Sequence, residues 1–262
     1  MKPLLTRLRL LLHVLGALWT TTVLYPFYGE ARRSRYVQKW SKKLLDICGV
    51  KVRVHHPERL SRKALIVSNH VSWLDIFLIH SVTPCHFIAK AEMADWPIIG
   101  SLAKSTGTLF LERRRGRHLK NTLEALVNYL KARERCIFFP EGTTAKQGEL
   151  LPFHPNLFEG AIHADMPIQP FAVKYVNHVG EFEDAVDFSG DIGMNENVNS
   201  ILDKDEIFAE LTLLPLIDIN GKNRKDLSEH ARKAIISVLP QSVQENRDKA
   251  PETQPDPQGG QP

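Results

Sequence analysis

The segment Ser68-Asn69-His70-Val71-Ser72-Trp73-Leu74-Asp75 gathers the side chains of this sequence best suited to proton transfer. In an HxxxxD pair the carboxylate can hold one imidazole nitrogen while the other takes a proton from a hydroxyl, the base-and-orienter half of a triad without its serine. Imidazole is the side chain that changes charge near neutrality, so His70 is the expected base and Asp75 its orienter. Asp75 has a second reading. Ser72 and Asp75 stand at the S-x-x-D spacing of a helix N-cap and third helical position, where the carboxylate closes a capping box. One carboxylate can serve both ends, and capping leaves His70 unexplained, yet an isolated HxxxxD also arises by chance.

Other chemistries lack their residues. There is no GxSxG or Walker sequence, which favours direct attack by a substrate hydroxyl over an acyl-enzyme. A metal site built from His70, Asp75 and His80 would draw side chains from nearly three helical turns, and His55 and His56 alternate in a strand pattern. Cys48, Cys85 and Cys136 lie far apart without a CxxC pair. No disulfide framework, metal or cofactor is expected, and the implied compartment is reducing.

The elements that must position the pair are legible as alternating patterns. The apolar run ALIVS at 64–68 reads as a strand that delivers Asn69 and His70 to its C-terminal edge, where open α/β sheets bind ligands. KVRVHH at 51–56, HFIA at 86–89, TLFL at 108–111, CIFF at 136–139 and IQPFAVKYV at 168–176 read as further strands, mostly buried. LTLLPLI at 211–217 is taken as a late strand that Pro215 keeps from a central position. Leu119, Leu123, Leu126, Val127 and Leu130 form one helical stripe, and Leu227, Ala231, Ala234, Ile235 and Val238 another. The fold class is therefore α/β, a largely parallel sheet flanked by helices.

Residues 1–43 carry nine Lys or Arg against Glu30 alone, although the whole chain has a net charge of only +4. The basic residues flank an apolar run, Leu10 to Phe27, that ends in aromatics, so an anionic membrane is the expected partner and nucleic acid is not. This run sits at the lower length limit for a span. Tyr36, Val37, Trp40, Leu44, Leu45, Ile47 and Cys48 recur at helical spacing, with Arg33, Arg35, Lys39, Lys42 and Lys43 largely on the other face, an interfacial amphipathic pattern. A membrane-anchoring helical pair over 1–48, a catalytic domain over 49–240 and a disordered Pro/Gln-rich tail over 241–262 follow. One true span and a pair held in one leaflet both remain open.

Three later blocks follow the pair in order: Gly107-Thr108-Leu109-Phe110-Leu111-Glu112-Arg113, then Phe139-Pro140-Glu141-Gly142-Thr143-Thr144, then Met166-Pro167-Ile168-Gln169-Pro170. With Asn69-His70 and Asp75 they resemble the 1-acylglycerol-3-phosphate O-acyltransferase family of glycerolipid acyltransferases over roughly residues 60–180. The resemblance implies His70 as general base and Asp75 as its orienter. It implies acceptor contacts from Gly107, Phe110 and Arg113 and from Glu141, Gly142 and Thr143, with Lys90 at a position where the family often carries a basic residue. Pro167, Ile168 and Pro170 would lie near the acyl chain. Physically, the fork of Arg113 suits a phosphate or carboxylate, and a turn at Glu141-Gly142 exposes backbone N–H groups. Arg114, Arg115 and Arg117 read as surface charge. Two departures bear on the acceptor: Thr144 stands where the family often has arginine, and Gln169 where it usually has an aliphatic residue. The segment from FPEGTT to LLPFHPNLFEGAI also resembles the lyso-ornithine lipid acyltransferase branch.

The implied reaction moves an acyl group from acyl-CoA or acyl-carrier protein to a lysophospholipid hydroxyl, with 1-acylglycerol-3-phosphate giving phosphatidic acid and lyso-ornithine lipid as the alternative acceptor. The expected setting is a bacterial inner membrane with the catalytic domain on its cytoplasmic face. A lipid or thioester hydrolase could activate water with the same pair. A non-catalytic membrane-binding protein would need the basic helices but not His70, Asp75 and Arg113 together.

Overall fold

The computed structural model describes residues 2–96, 98–111, 117–132, 135–190 and 192–240. The chain opens with α1 (Lys2–Trp19), a π-helical turn at Thr20–Leu24 and a short 3-10 turn at Tyr25–Phe27, and returns as α2 (Glu30–Ile47). It continues through β1 (Val50–His55), β2 (Leu65–Ser68), α3 (Leu74–Val82), β3 (His86–Lys90), α4 (Ile99–Ser105), β4 (Leu109–Leu111), α5 (Arg117–Lys131) and β5 (Cys136–Phe138). The remaining elements are α6 (Glu159–Ala164), β6 (Ile168–Val176), α7 (Met194–Leu202), β7 (Ile207–Leu213) and α8 (Arg224–Ile236).

The strands form one sheet in the order β1-β7-β6-β2-β5-β3-β4. From β6 to β4 every neighbouring pair is parallel. β7 is antiparallel to β6 and parallel to β1, so those two strands run against the other five. The sheet is thus largely parallel with helices on both faces, as the alternation of patterns predicts. Central β2 and β5 are buried at every position, which is why they read as unbroken apolar runs. Successive residues feed opposite cores. Leu65 and Val67 face Leu126 of α5, Phe158 near α6 and Leu227 of α8. Ile66 faces Leu44 of α2, Leu74 and Leu78 of α3 and Ile201 of α7. β1 lies at the edge, where Lys51 and Arg53 pair with Glu206 and Glu210.

Three expectations are corrected. The late strand begins four residues earlier than 211, because the alternating Ile207, Ala209, Leu211 and Leu213 carry the buried face. Pro215 falls beyond its end, so the strand is free to sit between β1 and β6. Secondly, residue 48 is not a packing boundary. Ser41, Leu44, Leu45 and Ile47 of α2 are buried, and Leu44 and Leu45 belong to the same core as the sheet. Thirdly, α1 begins well before Leu10, taking Arg7 and Arg9 into the helix.

α1 and α2 are joined by a reciprocal contact. Trp40 Nε1 donates to the His13 carbonyl at 3.2 Å, His13 Nε2 donates to the Trp40 carbonyl at 3.0 Å, and the rings stack with centroids 4.7 Å apart. Leu4, Leu8, Leu11, Leu12, Leu15 and Trp19 remain exposed at helical spacing on α1. The helical segment Leu4–Phe27 spans 24 residues with a mean hydropathy of 1.5, long and apolar enough to cross a bilayer. The expected tail over 241–262 lies outside the described residues.

Candidate active site

The site is built where β2 stops short of its neighbour. β6 runs five residues beyond the last rung it shares with β2, at Ser68–Phe171, so its backbone there needs other partners. Side-chain amides supply them. Asn69 Nδ2 donates to the Val173 carbonyl and Asn69 Oδ1 accepts the Val173 N–H, both at 2.8 Å. Gln147 Oε1 accepts the Tyr175 N–H at 2.7 Å. Pinned at Asn69, the chain turns and delivers His70 to the C-terminal edge of the parallel strands.

His70 Nδ1 lies 2.8 Å from Asp75 Oδ2, which also accepts the N–H groups of Val71 at 2.7 Å and Ser72 at 3.0 Å. A carboxylate oxygen can only accept, so Nδ1 is the donor, and in the neutral ring the lone pair lies on Nε2. Asp75 Oδ1 accepts the Tyr175 hydroxyl at 2.6 Å. Asp75 is wholly buried while the His70 side chain is 17% exposed, so the pair has a sealed end and an open one. The imidazole stacks on Phe139 with centroids 3.8 Å apart and planes 7° from parallel. Its backbone is held on both sides, by N–H donation to Glu141 Oε1 and by acceptance from the Ala145 N–H, each at 2.8 Å.

The capping role expected of Ser72 and Asp75 is half realised. The Asp75 carboxylate takes the Ser72 N–H, whereas the Ser72 hydroxyl reaches the Leu74 N–H only at 3.4 Å. Asp75 therefore organises the loop and holds the imidazole with one oxygen.

Glu141 is 4% exposed, and its second oxygen accepts the Leu151 N–H at 2.8 Å. Burial pushes its carboxyl up to about 8, with Asp75 adding to the rise and the Leu151 and His70 N–H groups and Arg232 opposing it. Both oxygens are engaged with backbone, so this side chain tethers His70 instead of facing outward. Gly142 sits at φ +70°, and its N–H closes a turn onto the Phe139 carbonyl at 3.0 Å. The N–H groups of exposed Thr143 and half-buried Thr144 have no acceptor among the described residues. They lie one and two residues before Ala145, which is bonded to His70.

The other predicted residues divide by strand direction. Lys90 ends β3 and Phe110 lies in β4 opposite Ala89, so both stand toward the edge that carries His70. Gly107 does not. It precedes β4 at φ +75°, packed against His86 at the start of β3, where an added Cβ would meet His86 Nδ1 at 2.6 Å. Pro167, Ile168 and Pro170 are likewise not brought to His70. Ile168 pairs with Leu65 at the beginning of β2, the opposite edge of the sheet, and Ile168 and Pro170 are buried in the sheet itself. Gln169 beside them is fully buried, accepting the Ser61 N–H at 2.9 Å and donating to the Arg59 carbonyl at 2.6 Å. An amide there staples the 59–61 loop, which accounts for a polar residue in an apolar run. Thr144 Oγ1 donates to the Phe188 carbonyl, and the Phe188 N–H donates to the Val71 carbonyl at 3.2 Å, so the segment containing Phe188 is tied to both loops. Arg113, with Arg114 and Arg115, lies outside the described residues.

Tyr175 and Gln147 received no role from the sequence. Their signals are weak: a polar-tipped aromatic in a buried strand, and a glutamine in a turn.

The sequence model of the acyltransferase family matches residues 51–174, which contain His70, Asp75 and Glu141 but not Tyr175, the 184–190 segment or Arg232. Lyso-ornithine lipid O-acyltransferase of Pseudomonas aeruginosa is 33% identical over 79% of this chain and 79% of its own length. The protein of that name from Brucella abortus is 37% identical over 67% and 70%. 1-Acyl-sn-glycerol-3-phosphate acyltransferase of Neisseria gonorrhoeae is 30% identical over 74% and 76%. The crystal structure of the 1-acyl-sn-glycerophosphate acyltransferase of Thermotoga maritima superposes with a TM-score of 0.58, covering 94% of this chain and all of that one at 22% identity, which shows the shared fold. Likeness at this level over most of both chains shows that the protein belongs to the acyltransferase family of glycerolipid and lysophospholipid metabolism.

Proposed function

We propose that the protein transfers a fatty acyl group from a thioester to the free hydroxyl of a lysophospholipid, with His70 as general base and Asp75 as its orienter. The observation that carries this reading is the 2.8 Å bond from His70 Nδ1 to a buried, multiply bonded Asp75, which leaves Nε2 at the open end of the pair. Nε2 removes the acceptor hydroxyl proton as the oxygen attacks the thioester carbonyl. The negative charge gathers on the former carbonyl oxygen, for which the N–H groups of Thr143 and Thr144 are the proposed donors. Collapse breaks the carbon–sulfur bond, and the leaving thiolate takes the proton held by His70. The products are an ester and a free thiol. Asp75 keeps the imidazole in the reactive tautomer and balances its charge at the moment of transfer.

Lys90, Phe110 and Arg113 are assigned to the acceptor and Gly142 to the turn that presents the donors; Glu141 acts on the acceptor side through His70. The acceptor is 1-acylglycerol-3-phosphate, with phosphatidic acid as product, and acyl-CoA or acyl-carrier protein is the donor. A second reading, lyso-ornithine lipid as acceptor, is favoured by the relatives of that name at 33% and 37% identity and by Thr144. The exposed leucine face of α1 and the basic residues of α2 support attachment to an anionic bilayer, in the setting of a bacterial inner membrane with the catalytic sheet on the cytoplasmic side.

The test supplies purified protein with acyl-CoA and acyl-carrier protein against lysophosphatidate and lyso-ornithine lipid, with products identified by mass. His70→Ala should lose about 10²- to 10⁴-fold in turnover while vesicle binding persists. Unchanged turnover removes the assignment of the base. Free fatty acid released without an acceptor makes the protein a hydrolase.

A further inference from the structure

Asp75 is held both from its own loop and from β6. Oδ2 collects the His70 imidazole and the Val71 and Ser72 N–H groups from its own loop, while Oδ1 receives the Tyr175 hydroxyl at 2.6 Å from β6. Tyr175 is fully buried, and its backbone is tied to Gln147 in the loop after β5 and to Glu183 in the segment after β6. Its N–H donates to Gln147 Oε1 at 2.7 Å and its carbonyl accepts the Glu183 N–H at 3.1 Å. A buried tyrosine whose ring packs in the core needs a hydrogen-bond partner; this one takes the outer oxygen of the carboxylate behind the base. We propose that Tyr175 is a positioning residue for acyl transfer, setting through Asp75 both the orientation of His70 and how strongly the pair holds a proton. The inference rests on the assignment of His70 and Asp75 above.

Burial, and then the neighbouring Asp75 carboxylate, push the Tyr175 phenol well above its ordinary range, so it stays a donor throughout the working pH range. The ionisable groups facing Asp75 are His70 from its own loop, Tyr175 from β6 and Glu141 from the loop after β5. Without the phenol, the negative charge of Asp75 is less satisfied and grips the protonated imidazole more firmly. Tyr175→Phe, which keeps the ring and its packing, should therefore lower kcat by about tenfold with little change in KM. The acid limb of the kcat/KM profile should move to higher pH.

The measurement is a pH series of acyl transfer for the wild type, Tyr175→Phe, Asp75→Asn, the double variant Tyr175→Phe/Asp75→Asn and His70→Ala, with thermal melts alongside. A lowered kcat with the displaced acid limb, and a smaller loss when Asp75→Asn is already in place, support the proposal. A lower melting temperature with kcat and the pH profile unmoved reduces Tyr175 to a packing residue and overturns it. An equal loss in the Asp75→Asn background overturns it too, since Tyr175 then acts elsewhere. If His70→Ala retains turnover, the assignment of the base fails first, independently of what Tyr175→Phe does.

Discussion

Replacing Asp75 by asparagine separates what its charge does from what its shape does, and the hydrogen bonds say how the amide will sit. Three N–H donors converge on Oδ2, whereas Oδ1 meets a hydroxyl, which can turn round and accept. The introduced amide is therefore expected to place its carbonyl oxygen where Oδ2 was and its NH₂ toward Tyr175. The Val71, Ser72 and His70 bonds survive, and so does the His70 tautomer. Where such a substitution reverses the tautomer, losses near ~10⁴ are the precedent; here the charge alone is lost. A charge-assisted hydrogen bond exceeds a neutral one by about 1–2 kcal/mol. Direct attraction between charges about 4 Å apart adds at most about 4 kcal/mol in a partly solvated setting. The two overlap, so a net loss of about 2–4 kcal/mol is expected, or about 30- to 1,000-fold in kcat. Asp75→Ala instead strands two backbone N–H groups and a buried phenol, at about 1–3 kcal/mol each, and should destabilise the fold outright. The assay is thiol release from acyl-CoA in the presence of lysophosphatidate, with circular-dichroism melts of both variants. Turnover of Asp75→Asn within threefold of wild type, or a melt as low as that of Asp75→Ala, would refute this account of the carboxylate.

Burial raises Asp187 to about 6, with Asp184 and Glu149 adding to the rise and the Gln147 N–H and Lys146 opposing it. Between about pH 4 and 6 the native state thus binds more protons than the unfolded chain, and this contribution to stability is lost as pH rises through the folded value. The full shift corresponds to about 3 kcal/mol, which partial solvation of the group reduces to about 1–2 kcal/mol. Asp187→Asn, whose amide oxygen still accepts the Gln147 N–H, should raise stability by that amount at pH 7.5 and leave it unchanged at pH 4; equal urea midpoint shifts at both would contradict the linkage. Gly107→Ala combines a left-handed backbone with a Cβ driven against His86, so a loss of about 2–4 kcal/mol is expected, and an unchanged melting temperature would show that the turn relaxes freely. Gln169→Leu removes the partners of the Ser61 N–H and the Arg59 carbonyl. It should lower stability by about 2–4 kcal/mol with kcat retained, and a fall in kcat at unchanged stability would bring this edge of the sheet into the chemistry.

Strand and helix positions were legible because their signals are local. LIVS and CIF are buried on both faces and read as short apolar runs, and the leucines of α5 recur at the helical period. The late strand was misplaced because a continuous run, LTLLPLI, outweighed the alternation of Ile207, Ala209, Leu211 and Leu213. Residue 48 looked like a boundary because the basic face of α2 is visible in sequence, whereas what covers its apolar face is not. That face packs on α3, where Gln38 also donates to the Ser81 and Val82 carbonyls at 3.2 and 3.1 Å.

The HxxxxD pair is where the two kinds of information divide. Its residue types and the order of the later blocks carry the resemblance to a family of acyltransferases, and that membership is shown; His70 and Asp75 as the chemical centre is the reading proposed above. What sequence could not decide was which distant groups the pair would meet. Tyr175 lies 100 residues from Asp75 and Glu141 lies 71 from His70, and both contacts depend on β6 and β5 flanking β2. The same parallel register puts Gly107, Pro167 and Ile168 at the opposite edge and leaves Pro170 buried inside the sheet beside Val67, although the motifs containing them read as parts of one site. Strand order is set by burial summed over the whole sheet, so these partnerships exist only in the folded chain.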